Sequence, residues 1–248
     1  YMKAVILAAG RGVRMKPLTD TIPKTLLRVN GRALFDYSID LLPADISEVI
    51  VLVSYLAEQI IAYATAQYPN VRFRFITQPS LGGTAQAMQL AAPHLRGEKF
   101  LVIYADDIHS KAAVARCAQF DLAVLVEETD HPERFGIINV TPDALLQTWG
   151  ALGRMIKFVE KPKQPESNLA WVGVAVLDDR VFQYAPVQHT NGEYYLTDMI
   201  DQLSRDAAIA VVKTDLWLPI GYPNDLQSAE TTLKIVNSKF EASNSKQY

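Results

Sequence analysis

With a single cysteine, Cys117, among 248 residues, the chain cannot close an internal disulfide, so its stability has to come from a packed core. It has no apolar run near the ~20 residues that span a bilayer, and no basic segment followed by an apolar stretch opens it. No membrane partner is therefore expected, and the cytoplasm is the expected location. Neither sign of charge is in large excess, with 24 Lys and Arg against 27 Asp and Glu. A net charge of −3 offers no broad basic surface to a nucleic-acid backbone, so no nucleic-acid partner is expected and any phosphate chemistry must be local. Internal repeats and low-complexity tracts are missing, which argues against solenoids and disordered linkers. What is there, 49% hydrophobic and 21% charged residues, suits one large globular α/β domain.

Apolar runs at 3–8, 48–53, 71–77 and 99–104 read as buried strands, and the segments 33–42, 57–68 and 84–92 between them read as helices. That alternation predicts a mostly parallel sheet with helices on its faces. From 120 to 176 the pattern turns β-rich, clearest at 135–140, 155–159 and 172–177, as the far wall of a ligand cleft would be. Helices resume at 196–203 and 223–240, the second with Leu226, Ala229, Leu233, Val236 and Phe240 at helical spacing. A polar, frayed tail is expected after Ala242.

The first strand runs into LAAGRGVRM, small residues at a junction where backbone amides can approach phosphates without Cβ obstruction. Gly10 and Gly12 form a GxG, but Met15 stands where a dinucleotide fingerprint has its third glycine, and no Walker A pattern is present. Arg14 and Lys24 add two cations. Pro23 restrains the chain before Lys24, so its ammonium can be held, and the pair offers phosphate a planar fork and a point charge. By themselves the two cations read equally well as solvated surface charges. In FLVIYADDIHS, Asp106 and Asp107 follow a strand at the carboxyl end of the sheet, where paired acids are costly unless solvated or metal-bound.

LAAGRGVRMKPLTDTIPKTLLRVNGRAL resembles the N-terminal signature of the sugar nucleotidyltransferase family, a glycine loop with GTR, PLT and PK, although Val13 replaces the usual threonine. QPSLGGTAQAMQLA resembles the family's base-recognition segment, and FLVIYADDIHS its metal-bearing turn. HPERFGIINV, FVEKPKQPESNLAWVGVAVL and GEYYLTDMIDQL resemble its sugar-phosphate half. The resemblance covers nearly the whole chain in order. It implies a Rossmann-like three-layer α/β/α nucleotidyltransferase fold with a mixed, mostly parallel sheet and a β-rich sugar-binding portion. Residues 2–119 would form the nucleotide portion, 120–222 the sugar-phosphate portion and 223–242 a C-terminal helix, with 243–248 a polar tail. No fused β-helix domain is expected after that helix.

The activity so implied joins an NTP to a hexose 1-phosphate and releases pyrophosphate, with Mg²⁺ as cofactor and the two small molecules as partners; an oligomer stays open. By the resemblance Arg14, Lys24, Asp106 and Lys161 would carry the catalytic roles, and Asp106 would bind the metal. Ala8, Ala9, Gly10, Gly12, Gln78, Gly83 and Thr84 belong to the nucleotide, with Gln86 nearby. Tyr104, Gly136, Glu160, Lys161, Gly173 and Glu193 belong to the sugar phosphate. Gln78 points to a pyrimidine, UTP or dTTP. Trp171, where the N-acetylglucosamine enzymes have asparagine, makes glucose 1-phosphate the first expectation. Asp107 is expected to cap or support, and Asp198 and Asp225 to cap the helices beside them.

In LWLPIGYPNDLQSAE the chain departs from the family, since Pro219 stands in place of the second metal-binding aspartate. Either water, substrate phosphates and Asp106 complete the magnesium shell, or activity is lost. The glycine loop, Arg14, Lys24, Asp106 and Lys161 favour an active enzyme. Two alternatives are a catalytically impaired nucleotide-sugar-binding regulator and a cytidylyltransferase for a non-sugar phosphate. A dinucleotide oxidoreductase is disfavoured by the missing third glycine.

Overall fold

Strand β1 (Met2–Leu7) is apolar on both faces because it lies inside a sheet, between β4 (Ile46–Val53) and β6 (Lys99–Tyr104), parallel to each. The computed structural model describes residues 2–80 and 82–244. Before β4 come a short hairpin, β2 (Arg28–Val29) and β3 (Arg32–Ala33), and helix α1 (Leu34–Asp40). Helix α2 (Ala57–Gln67), strand β5 (Phe73–Thr77) and helix α3 (Thr84–Ala91) separate β4 from β6.

The chain continues through β7 (Asp107–His109), α4 (Lys111–Cys117), β8 (Ala123–Glu128), β9 (Gly136–Thr141), α5 (Ala144–Thr148), β10 (Gly153–Glu160) and β11 (Leu169–Asp178). It closes with α6 (Leu196–Asp206), β12 (Ala210–Lys213), β13 (Trp217–Pro219) and α7 (Pro223–Asn244). Nine strands form one sheet in the order β5-β4-β1-β6-β11-β8-β12-β10-β9, and β9 also meets β11. The first four are mutually parallel, whereas β11 runs antiparallel to both β6 and β8.

Alternation along the strands builds three layers. Val5, Ile50, Leu52, Phe100 and Val102 face α3 and α6 in one core. Ala4, Ile6, Val49, Val51 and Val53 face the opposite way, onto Phe35 of α1 and Ile60 and Ala64 of α2. Helix α6 is seated by Leu196, Met199, Ile200 and Leu203, which repeat at helical spacing and are all buried. The expected α/β architecture is therefore present.

Some details differ from expectation. Helix α4 was not anticipated, and it opens on Ser110, whose side chain accepts from the Ala113 N–H. Its Cys117 is buried, and burial pushes the thiol up to about 12, so it is unreactive. The four-residue β12 was also missed, because so short an apolar run carries little periodic signal. Helix α7 packs Leu226, Ala229 and Leu233 beside Val29 of the β2–β3 hairpin, but Val236 is exposed, so the apolar stripe ends sooner than its spacing suggests. The α7 backbone continues to Asn244, past the expected fraying point at Ala242; the Phe240 side chain and residues 245–248 lie outside the described residues.

Candidate active site

The loops leaving the carboxyl ends of β1, β5 and β6 open on one edge of the sheet, the usual location of ligands in open α/β folds. They surround a cleft of about 500 Å³ lined by Ala8, Ala9, Gly10, Gly12, Arg14, Lys24, Gln78, Gly83, Thr84, Tyr104, Asp106 and Glu193. Twelve residues expected at the site are thus together. Gly136, Glu160, Lys161 and Gly173 are not part of this lining. Tyr195 and Gly221, which the sequence reading left without a role, are.

Gly12 turns the loop at φ 60, and a Cβ there would lie 3.0 Å from Lys24 Cβ, so glycine is required both for the turn and for the close passage of Lys24. Lys24 begins a short 3-10 turn after Pro23 and is buried. Its Nζ lies 2.7 Å from Asp106 Oδ2, so the ammonium is held, as expected. Burial by itself would raise the Asp106 carboxyl, but the charge and hydrogen bond of Lys24 outweigh it and hold that group below its ordinary range.

Asp107 turns the other way, accepting from Trp217 Nε1 at 2.9 Å and from the Ile220 N–H at 3.0 Å. Burial, with repulsion from Asp106, pushes it up to about 7. It supports the site from behind. Pro219 sits directly across from Asp107 in the β7–β13 ribbon, so the departure from the family motif falls next to the acidic turn. Asp225 accepts from the Gly221 and Tyr222 N–H groups at 2.8 and 2.7 Å, which is the expected capping role.

On the opposite wall Gln78 is buried, and its Nε2 donates to the Gly83 carbonyl at 3.4 Å. Gly83 caps α3 at φ 97. Tyr194 is stitched across this turn: its N–H donates to the Gly82 carbonyl and its carbonyl accepts from the Ala85 N–H, while the Leu196 N–H donates to Thr84 Oγ1. Helix α3 and the segment bearing Glu193 are thereby one unit. Asp198 departs from expectation. Its carboxylate meets His189 Nε2 at 2.9 Å instead of capping α6, fastening the turn before Glu193 to that helix.

Behind the cleft, Gly173 adopts φ 80, and a Cβ there would lie 2.8 Å from Tyr104 Cβ. The Trp171 indole is buried edge-on to Tyr104, with ring centroids 5.0 Å apart, and donates to the Val174 carbonyl. A Cβ on Gly136 would lie 3.1 Å from Glu160 Oε2. Lys161 sits 3.2 Å from Glu160 Oε1 and over the Tyr195 ring at 5.2 Å. Tyr195 donates to Glu193 at 2.6 Å, and burial together with that carboxylate pushes its hydroxyl up to about 12. Of the four positions absent from the cleft lining, Gly173 thus adjoins cleft-lining Tyr104 and Lys161 adjoins cleft-lining Tyr195, while Gly136 and Glu160 adjoin each other.

Among the described residues no group of three or more His, Cys, Asp or Glu side chains is placed to hold a metal. Asp106 alone presents a cleft-lining carboxylate at the acidic turn. That set suits magnesium, which binds through one or two carboxylates and takes its remaining ligands from phosphates and water.

The nucleotidyl transferase family model matches residues 3–235. The UTP–glucose-1-phosphate uridylyltransferase AglF of Haloferax volcanii is 33% identical over 245 residues, covering 94% of this chain and 97% of that protein. The bifunctional protein GlmU of Methanococcus aeolicus is 32% identical over 235 residues, covering 93% of this chain; the chain spans about half, 54%, of that relative. A Bacillus anthracis protein assigned as a glucose-1-phosphate thymidylyltransferase, solved in complex with a sucrose, superposes with a TM-score of 0.79 at 26% identity, covering 94% and 95% of the two chains. A UDP-glucose pyrophosphorylase complexed with UDP-glucose shares the fold, with a TM-score of 0.81 at 21% identity and 94% and 98% coverage.

Proposed function

The chain belongs to the nucleotidyl transferase family, among the sugar-1-phosphate nucleotidyltransferases, and from that premise we propose that it joins UTP or dTTP to glucose 1-phosphate. The observation that carries this reading is the convergence of the glycine loop, Arg14, Lys24 and Asp106 with Gln78 and Glu193 around one cleft. In this proposal residues 2–119 bind the nucleotide, 120–222 the sugar phosphate, and 223–242 form a closing helix.

An oxygen of the sugar phosphate attacks the α-phosphorus in line, the bond from that phosphorus to the bridging oxygen breaks, and pyrophosphate leaves. A phosphate monoester is already largely ionised near neutral pH, so neither a protein nucleophile nor a general base is required. Catalysis is then positioning and charge neutralisation, for which orientation can supply about 7–11 kcal/mol. The loop amides from Ala8 to Gly12 and the Arg14 guanidinium hold the triphosphate, while Lys24 moves between Asp106 and the reacting phosphates. Lys161 orients the attacking phosphate. Gln78, Gly83 and Thr84 read the base; Tyr104, Gly136, Glu160, Gly173 and Glu193 shape the sugar side. Asp106, with nucleotide phosphates and water, would hold Mg²⁺, which would supply neutralisation of the triphosphate charge.

Pyrophosphate release measured with UTP, dTTP, CTP, GTP and ATP against several sugar 1-phosphates tests the assignment. UTP and dTTP are both expected to be used, because a glutamine amide pairs with the imide edge common to both bases. Glucose 1-phosphate should exceed N-acetylglucosamine 1-phosphate, since the Trp171 N–H is already bound to Val174 and offers nothing to an acetamido group. A clear preference for a purine nucleotide would contradict the base assignment, and faster turnover of the N-acetyl sugar would overturn the sugar.

A second reading, a binding protein with impaired catalysis, is favoured by Pro219 alone. Pro219→Asp distinguishes the two. Across the ribbon from Asp107, a new carboxylate adds both a ligand and a charge, so the Mg²⁺ concentration for half-maximal activity should fall severalfold. A folded variant with unchanged metal dependence would show that position 219 does not address the metal; a wild type without turnover on any substrate pair would establish the second reading.

A further inference from the structure

Tyr222 lies in the LWLPIGYPNDLQSAE segment without a role assigned above, yet the Arg14 guanidinium lies over its ring, 5.3 Å from the centroid. The ring is half-exposed, on the segment that leaves β13 and enters α7. Three successive amides of that segment are held by carboxylates: Ile220 N–H by Asp107, and Gly221 and Tyr222 N–H by Asp225. Its backbone is therefore pinned from both sides. Gly221 lines the cleft, and a Cβ there would stand 3.9 Å from Arg14 Nη1, so the pinned segment and the arginine meet at the mouth.

A cation–π contact draws on the charge of a guanidinium and consumes none of its hydrogen-bond donors. The five N–H donors around its edge stay free for phosphate oxygens. A long side chain on an exposed loop otherwise has many rotamers to lose when it binds, and holding it in place beforehand removes part of that cost. From this geometry we infer that Tyr222 is a positioning residue of the nucleotide site, a ring that holds Arg14 edge-out towards the triphosphate on a platform fixed by Asp107 and Asp225. The inference rests on the proposed role of Arg14 as a phosphate ligand.

Titration of wild type, Tyr222→Ala, Tyr222→Phe, Arg14→Ala and the Tyr222→Ala/Arg14→Ala double variant with UTP, without sugar phosphate, tests it. Tyr222→Ala should weaken UTP binding about 2–5-fold, the range for a cation–π contact at an exposed site. Tyr222→Phe keeps the ring and should bind as wild type does. In the Arg14→Ala background the second substitution should add nothing. In steady state Tyr222→Ala should raise KM for UTP and leave kcat near wild type, the mark of a lost ground-state contact that persists in the transition state. If Arg14→Ala weakens UTP binding but Tyr222→Ala does not, the inference fails and the role of Arg14 stands. Equal losses in the Phe and Ala variants, or a full additional loss in the double variant, also overturn it. If Arg14→Ala leaves UTP binding unchanged, both readings fall.

Discussion

Lys24→Ala is expected to lower kcat by about 10²–10³-fold, the scale for removing one preorganised group that meets developing charge. Lys24 is buried, is placed by the 3-10 turn after Pro23, and is the cation against the cleft-lining Asp106. Without it two polyanions must approach with only the other proposed cations, Arg14, Lys161 and the metal, to offset their charge. The folded state should tolerate the change better than the reaction does. Asp106 loses its partner, but its side chain is 43% exposed, so water can solvate the carboxylate in place of the ammonium. Melting temperature should therefore move little. Lys161→Ala, with its lysine in a more open position beside Glu160, should cost about tenfold in turnover or more, again with little effect on melting. Turnover is read by pyrophosphate release and folding by thermal denaturation. Wild-type turnover in both variants would remove both lysines from the mechanism.

The largest effect on the fold is expected from Gly83→Ala. At φ 97 any L side chain is strained, and the added Cβ would lie 2.3 Å from the Tyr194 carbonyl oxygen and 2.7 Å from its nitrogen. Neither atom can retreat cheaply, because Tyr194 is tied to Gly82 and Ala85 by backbone hydrogen bonds. Strain and overpacking together should cost about 2–5 kcal/mol. In a domain of this size that corresponds to a fall of about 5–15 °C in melting temperature. Activity should fall as well, since separating the two segments displaces Glu193 and Tyr195 from the cleft. Gly31→Ala is the matched control. Its backbone is also left-handed, at φ 76, but nothing lies within 4 Å of the new Cβ, so strain acts without a clash and the loss should be about 1 kcal/mol. Equal melting shifts in the two variants would mean that the contact with Tyr194 carries no weight.

The sequence by itself determined the repeating βα framework, since period-2 and period-3.6 burial are local properties written every few residues. Strand β6 and the start of α3 fall where the pattern puts them. It also determined the glycine loop that lines the cleft, because small residues at a strand end and a glycine at Gly12 are demands of the local backbone. Tertiary structure decided which charges meet. Lys24 and Asp106 are 82 positions apart, and only the order of β1 and β6 in the sheet brings them within 2.7 Å. Asp198 shows the same limit: the first turn of α6 suggests a cap, but the fold brings His189 to its carboxylate, and a nearby side-chain donor replaces the local bond. Likewise the roles of Asp107 and Tyr222 depend on the β7–β13 ribbon, in which Asp107 and Trp217 are 110 positions apart. Periodicity records how buried a residue is, while its partner depends on sheet order and on where distant loops end; those are properties of the whole chain.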